Sequence, residues 1–334
     1  MKVQADRSWL RQRAAAAWMV AAAVAISACS PAKAALPPDV VRIATGSEGG
    51  IYHSLGTELA KAYATRLTGV VPTAQATAAS AYNVHAVESD LAELAFALGD
   101  VTYLAYTRGT SSLPQPHHGL RAIAVLYENV THILVRADSP IAEIADLRGQ
   151  HVAVGRSLLL PRATRPLTID VIAEGYGLRP TDFHSEWLTL PELISGLRDG
   201  RLAAGFFSSG YPVTAISAAA KEFGVRLLPV AREAAVRVRA VYPFFKLTSV
   251  PAGTYPAQPN DIPALAVDNL LICRDDLSDD LVYRLTRSFF ESLPDIGQHI
   301  VAARLVNVDR APTTPIPLHP GAARYYRERE LLRW

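Results

Sequence analysis

The stretch Val40-Val41-Arg42-Ile43-Ala44-Thr45-Gly46-Ser47-Glu48-Gly49-Gly50-Ile51-Tyr52 runs from a short β-branched segment into a glycine-rich turn. Leu55, Leu59, Ala62, Tyr63 and Leu67 then recur at helical spacing. A strand turning sharply into an amphipathic helix is the building unit of a sheet flanked by helices. The unit recurs downstream. Strands are expected at 70–76, 94–98 and 121–126, with helices starting at Ser80 and covering 101–108. Asp100 is placed to cap the second helix and Gly109 to end it. A second set follows, with strands at 131–135, 151–155, 202–207 and 225–230, and with residues 187–190 running into Pro191. Its helices lie at 169–176, 191–199 and 213–223, the middle one opened by Pro191. After Pro243 come a proline-rich loop, a strand at 264–273, and helices around 279–292 and 321–333. Strands alternating with helices predict an α/β chain with parallel pairing. The economical arrangement is two α/β lobes, residues 40–128 plus 241–334 and residues 129–240, between which the chain crosses twice.

The whole chain has 334 residues, 50% of them hydrophobic, with 33 Lys+Arg against 31 Asp+Glu and 2 Cys. That apolar fraction excludes a disordered chain, and two cysteines exclude a disulfide scaffold. The near-neutral balance, without a basic run, excludes a nucleic-acid partner, which needs a dense phosphate-neutralising face. The N-terminus sets the compartment. Arg7, Arg11 and Arg13 precede an apolar run from Ala14 to Ile26, too short for a stable membrane span. Residues 1–28 therefore read as a lipoprotein signal peptide, since Ile26-Ser27-Ala28-Cys29 resembles a lipobox with Cys29 as the lipid anchor. Cleavage after Ala34, in the small-x-small segment Ala32-Lys33-Ala34, is the alternative. The position of Cys29 directly at the end of the apolar run favours the lipobox. Either reading places the chain in the periplasm, and the first ties it to a bacterial membrane.

Loops at the carboxyl ends of parallel strands are where α/β sheets bind ligands. In the first such loop Ser47 offers a hydroxyl and Gly50 permits close backbone approach or positive φ. The helix start beside Tyr52 presents free N–H groups to an anion. A tight turn that merely closes a strand–helix unit would look the same. In the second loop, Thr77-Ala78-Ala79-Ser80-Ala81-Tyr82-Asn83, the side chains of Thr77, Ser80 and Asn83 are candidates, with Ser80 equally suited to cap its helix.

With both loops in view, the chain resembles the TAXI class of solute-binding proteins, which serve tripartite ATP-independent periplasmic (TRAP) transporters. The likeness spans about residues 40 to 332. It rests on Gly46-Ser47-Glu48-Gly49-Gly50-Ile51-Tyr52, on Thr77-x-x-Ser80-x-x-Asn83, and on more specific C-terminal marks. These are Pro251-Ala252-Gly253-Thr254-Tyr255, Asn269-Leu270-Leu271-Ile272-Cys273-Arg274, Asp280-Leu281-Val282-Tyr283, and Pro317-Leu318-His319-Pro320-Gly321-Ala322-Ala323-Arg324-Tyr325-Tyr326. The resemblance implies a periplasmic-binding-protein-like fold of type II, with a small solute held between two lobes joined by a double crossover. It also implies delivery of that solute to the membrane subunits of a TRAP transporter. Dicarboxylates, amino acids and oxo acids are the solutes it suggests.

The sequence departs from that class after the strand at 151–155. Where relatives carry a Gly-Ser-Gly-Thr loop, this chain has Arg156-Ser157-Leu158-Leu159-Leu160-Pro161-Arg162-Ala163-Thr164-Arg165-Pro166. A guanidinium grips a carboxylate through two parallel hydrogen bonds, so Arg162 and Arg165, with Thr164, are candidate anion contacts. Solvated loop arginines are the competing reading. Tyr211, after the strand at 202–207, could close over a ligand, and Thr254 lies in a Pro-Gly loop beside the expected crossover. His319 reads as a helix-entry residue, Cys273 as a buried apolar one, and His117-His118 as a pair with no acidic partner nearby. No Gly-x-Ser-x-Gly elbow, no spaced carboxylate pair and no metal-ligand spacing occurs. The reading is therefore a binding protein, not an enzyme, with no metal or cofactor. A sensor lipoprotein without a permease is the alternative.

Overall fold

The computed structural model describes residues 39–332 except 49, 79, 110–113, 155–166 and 180. The first unit unfolds as expected: β1 (Asp39–Ala44), α1 (Ile51–Arg66), β2 (Val70–Gln75), α2 (Ser80–Glu88), β3 (Leu94–Leu98) and α3 (Gly99–Arg108). β1 and β3 are parallel, Ile43 opposite Leu94. The helix α1 lies flush on them because Gly56 carries no side chain. A Cβ there would meet the Thr45 side chain and come within 3.1 Å of the Phe96 ring.

The two expected strands at 121–126 and 131–135 are one, β4 (Leu120–Arg136), 17 residues long. At about 3.3 Å per residue it reaches roughly 55 Å. Beyond it lie β5 (His151–Ala153), α4 (Leu167–Gly175), β6 (His184–Glu186), α5 (Leu190–Arg198), β7 (Ala204–Ser209), α6 (Thr214–Glu222), β8 (Val225–Leu227), α7 (Arg232–Val241), β9 (Phe245–Val250) and β10 (Ile262–Arg274). The C-terminal helices are α8 (Asp279–Ile296), α9 (Val301–Arg304) and α10 (Pro320–Glu328). Residues 187–189 lead into α5, as expected. Thr189 and Glu192 form a capping box there, with Pro191 in the first turn.

The strands share one ten-stranded sheet, ordered β2-β1-β3-β10-β4-β7-β5-β6, with β8 on β4 and β9 on β10. Parallel pairing holds at β1–β3, β5–β6 and β5–β7. The long strands β4 and β10 run antiparallel to each other and to β3, β7, β8 and β9. Hydrophobic cores lie along the two halves of these strands. The first gathers residues from Val41 to Tyr127 and from Leu270 to Tyr326. The second gathers residues from Val130 to Val267. The chain therefore changes core at 127–130 and returns at 267–270, not near 240 as the sequence suggested. The cause is β9: Phe244 and Phe245, rings 5.0 Å apart, and the β9 pairing with β10 hold residues 244–267 in the second core.

Candidate functional site

Pairing register fixes where the strand ends point. Leu98, the last residue of β3, sits opposite Asn269 on β10. Ser209, the last residue of β7, sits opposite Val130 on β4. The carboxyl ends of β1 and β3 thus arrive at the midpoint of the long strands from one side, and those of β5 and β7 from the other. The described loops after β1 and β7 therefore approach the segment where β4 and β10 pass from one core to the other.

From the first side the loops are stitched together. Thr45 directs both its N–H (3.0 Å) and its hydroxyl (2.6 Å) to the Gln75 carbonyl, and the Thr77 N–H donates to the Gly46 carbonyl at 3.1 Å. Asn83 is fully buried. Its amide N–H groups donate to the carbonyls of Thr45 and Phe96 (2.7 Å to the latter), and its Oδ1 accepts from the Thr77 hydroxyl at 2.5 Å. Thr77 and Asn83 therefore spend these polar atoms on holding the loops together. Ser47 is exposed, and its carbonyl accepts the Gly50 N–H at 2.9 Å. Gly50 has φ −79°, ordinary backbone, so positive φ is not the reason for a glycine. The reason is space, since a Cβ would sit 3.0 Å from the Ser47 carbonyl oxygen.

Tyr52 stacks on Phe96, with centroids 5.4 Å apart and planes 22° apart, and its hydroxyl donates to Asn269 Oδ1 at 2.5 Å. Asn269 in turn donates to the Tyr127 carbonyl at 2.8 Å. Burial, followed by the neighbouring Tyr127, drives the Tyr52 phenol well above its usual pKa, so it stays a donor. Ser80 is buried and accepts the Leu98 N–H at 3.0 Å, tying the start of α2 to the end of β3. Asp100, in the first turn of α3, is buried and accepts the Val101 N–H at 2.8 Å. Desolvation raises its carboxyl to about 6.

At the midpoint itself, Glu128 of β4 and Asp268 of β10 stand directly opposite one another. Arg310 pairs with Glu128 at 2.7 Å, and Lys246 with Asp268 at 2.5 Å. The Thr248 hydroxyl donates to the other Glu128 oxygen at 3.0 Å. Burial raises the Asp268 carboxyl in spite of Lys246. Tyr211, half-buried after β7, has its phenol raised by burial and then by the Glu128 charge, which brings a residue of the second core to this place.

Thr254 is not brought there. It follows Val250, which pairs with Ile262, six positions along β10 from Asp268, about 20 Å away at strand spacing. Its hydroxyl closes its own turn on the Pro251 carbonyl at 2.7 Å. Arg162, Thr164, Arg165 and Cys29 lie outside the described residues.

The remaining sequence candidates resolve structurally. His117 does have an acidic neighbour, Glu88, at 2.9 Å, because the loop before β4 folds back on α2. His319 caps α10, accepting the Gly321 N–H at 3.1 Å, and burial lowers its pKa. Cys273 is buried in β10 and its thiol is raised by desolvation. Among the described residues no group of three or more His, Cys, Asp or Glu is placed to hold a metal. No described helix is long and apolar enough to cross a membrane.

Sequence reading missed Tyr127, Glu128, Asp268, Asn269 and Arg310 as members of this place, and read Asp100 as a cap alone. The available signal was a polar pair interrupting an apolar strand. Glu128-Asn129 and Asp268-Asn269 both do this, and cross-strand register sets them side by side.

Comparison with known proteins agrees with this architecture. A model of the NMT1-like family matches residues 43–329. Among solved structures, a TctC solute-binding protein from Polaromonas without ligand superposes with a TM-score of 0.52. The identity is 16%, covering 89% of this chain and 99% of that one. XAC2383 from Xanthomonas citri, bound to ATP, superposes with a TM-score of 0.52 at 12% identity, covering 87% and 95%. At such identities the likeness speaks for the fold: a mixed α/β, periplasmic-binding-protein-like chain of type II.

Proposed function

We infer that this chain, which belongs to the NMT1-like family, is an extracytoplasmic receptor that captures a small solute between two lobes and hands it to the membrane subunits of a transporter. One observation carries the reading. Strand ends belonging to two separate cores meet on one polar stretch of β4 and β10, the arrangement that lets a ligand add contacts to both sides at once. The lobes are residues 40–128 with 269–332, and residues 129–268. Closure follows from differential contact, because a solute touching both lobes favours the shut form. The TctC relative in the same fold is itself a solute-binding protein, which supports the reading.

Ser47, Gly50, Tyr52 and Ser80 line the first lobe's side, with Asn83 and Thr77 holding that side in shape. Tyr211 closes from the second. The arginines at positions 162 and 165 of the sequence support a carboxylate-bearing solute. The lipobox at Cys29 supports a lipid-anchored periplasmic form, and the C-terminal sequence marks support a TRAP-type permease as recipient. No reaction is involved.

Calorimetry tests this. The chain lacking residues 1–29 is titrated with dicarboxylates, amino acids and oxo acids, and the solute is recovered afterwards. One class binds at one solute per chain and returns unchanged. Silence across the panel, or chemical conversion of a bound compound, overturns the reading.

A further inference from the structure

We propose that Asp100 is a specificity-determining residue that takes a cationic group, an ammonium, on the solute. The proposal rests on the receptor reading above and adds a requirement on its ligand.

Three carboxylates are buried among the described residues: Glu93, Asp100 and Asp268. Two have cations. Arg42 grips both Glu93 oxygens, Nη2 to Oε1 at 2.5 Å and Nε to Oε2 at 3.0 Å. Lys246 meets Asp268 at 2.5 Å. Asp100, 5% exposed, has no cation within ion-pair distance among the described residues, and its carboxyl is held only by the backbone N–H groups of Val101, at 2.8 Å, and of its own residue. A carboxylate removed from water without a counter-charge is unfavourable, and folded chains keep such a group where a partner arrives.

The location says what arrives. Asp100 follows the carboxyl end of β3, inside the convergence of loops. Its neighbour Gly99 lies against the Asp268 backbone, where a Cβ would come within 3.2 Å of the carbonyl oxygen. Its charge reaches the Tyr52 phenol. A metal ion is a poor fit, since no second and third ligand stand with it among the described residues. A proton partly relieves the burial, for the carboxyl is raised to about 6. At neutral pH the group is still mainly ionised, so it offers a negative charge to a solute. An ammonium supplies three donors and the missing charge together.

The test uses matched pairs differing only in the amine: aspartate and succinate, 4-aminobutyrate and butyrate, taurine and ethanesulfonate. Each is titrated into the unaltered chain, into Asp100→Asn, and into Asp100→Ser as a second variant should the first not fold. The amine member of at least one pair is expected to bind the unaltered chain tenfold or more tighter than its partner. That preference should disappear in the variants. Equal binding within every pair, or an undiminished preference in both variants, overturns the role of Asp100 while leaving the receptor intact. If no member of any pair binds, the receptor reading for acid-bearing solutes falls and this proposal falls with it.

Discussion

Asn83 shows how far a residue's chemistry could be read before its surroundings were known. Its type and spacing suggest a polar group near a ligand loop, while the fold alone reveals that three backbone and side-chain partners take up its amide. Asn83→Ala leaves buried carbonyls without donors and is expected to lower stability by about 3 kcal/mol, read from denaturant midpoints. A midpoint unchanged from the parent would return Asn83 to the ligand. Asp100 behaves in the opposite sense. Burial raises its carboxyl from 3.8 to about 6, so the native state favours the protonated form. This group therefore destabilises the fold progressively as pH rises from about 4 to 6. Above that window the penalty reaches at most about 3 kcal/mol. Asp100→Asn should thus stabilise the chain at pH 7.5 and make no difference at pH 3.5, measured by denaturation at both. Destabilisation at pH 7.5 would mean that the carboxylate is a structural anchor.

At the level of elements, the alternation of strands and helices in residues 40–108 was legible because hydrophobic period and turn chemistry agree there. The long strands were not. Glu128-Asn129 looks like a break between two apolar runs, yet it is the span of β4 that leaves one core before entering the next. Likewise β9 hides behind Pro243, and the 241–267 segment was placed in the wrong core. The pairing across β4 and β10 carries its own prediction. Lys246→Met strips Asp268 of its nearest cation, with Arg310 still 3.8 Å away. A loss of about 2 kcal/mol is expected, largely restored in the Lys246→Met/Asp268→Asn double variant. Additive losses in the double-mutant cycle would show that the two groups do not interact. Packing of α1 on β1 gives a second case. Gly56→Leu drives a side chain into Thr45 and Phe96, and about 2–3 kcal/mol should be lost in the denaturant midpoint. An unaltered midpoint would mean that α1 does not lie so close to the sheet.

For the whole molecule, two cores share the long strands β4 and β10, and the proposed capture requires the halves to move relative to each other around a solute. The two-lobed class was legible from the sequence through the order of its elements and its motifs. The polar midpoint of β4 and β10 was not, since it is assembled from strand positions far apart in the chain. Movement is measured most directly by pulsed electron-spin distance between labels at Tyr82→Cys on α2 and Thr214→Cys on α6. Both are exposed positions at helix starts on opposite sides of the midpoint. Saturation with a solute identified by calorimetry should replace the free distribution with a single shorter distance. A distribution that stays the same while the solute is demonstrably bound would contradict capture by closure of two lobes.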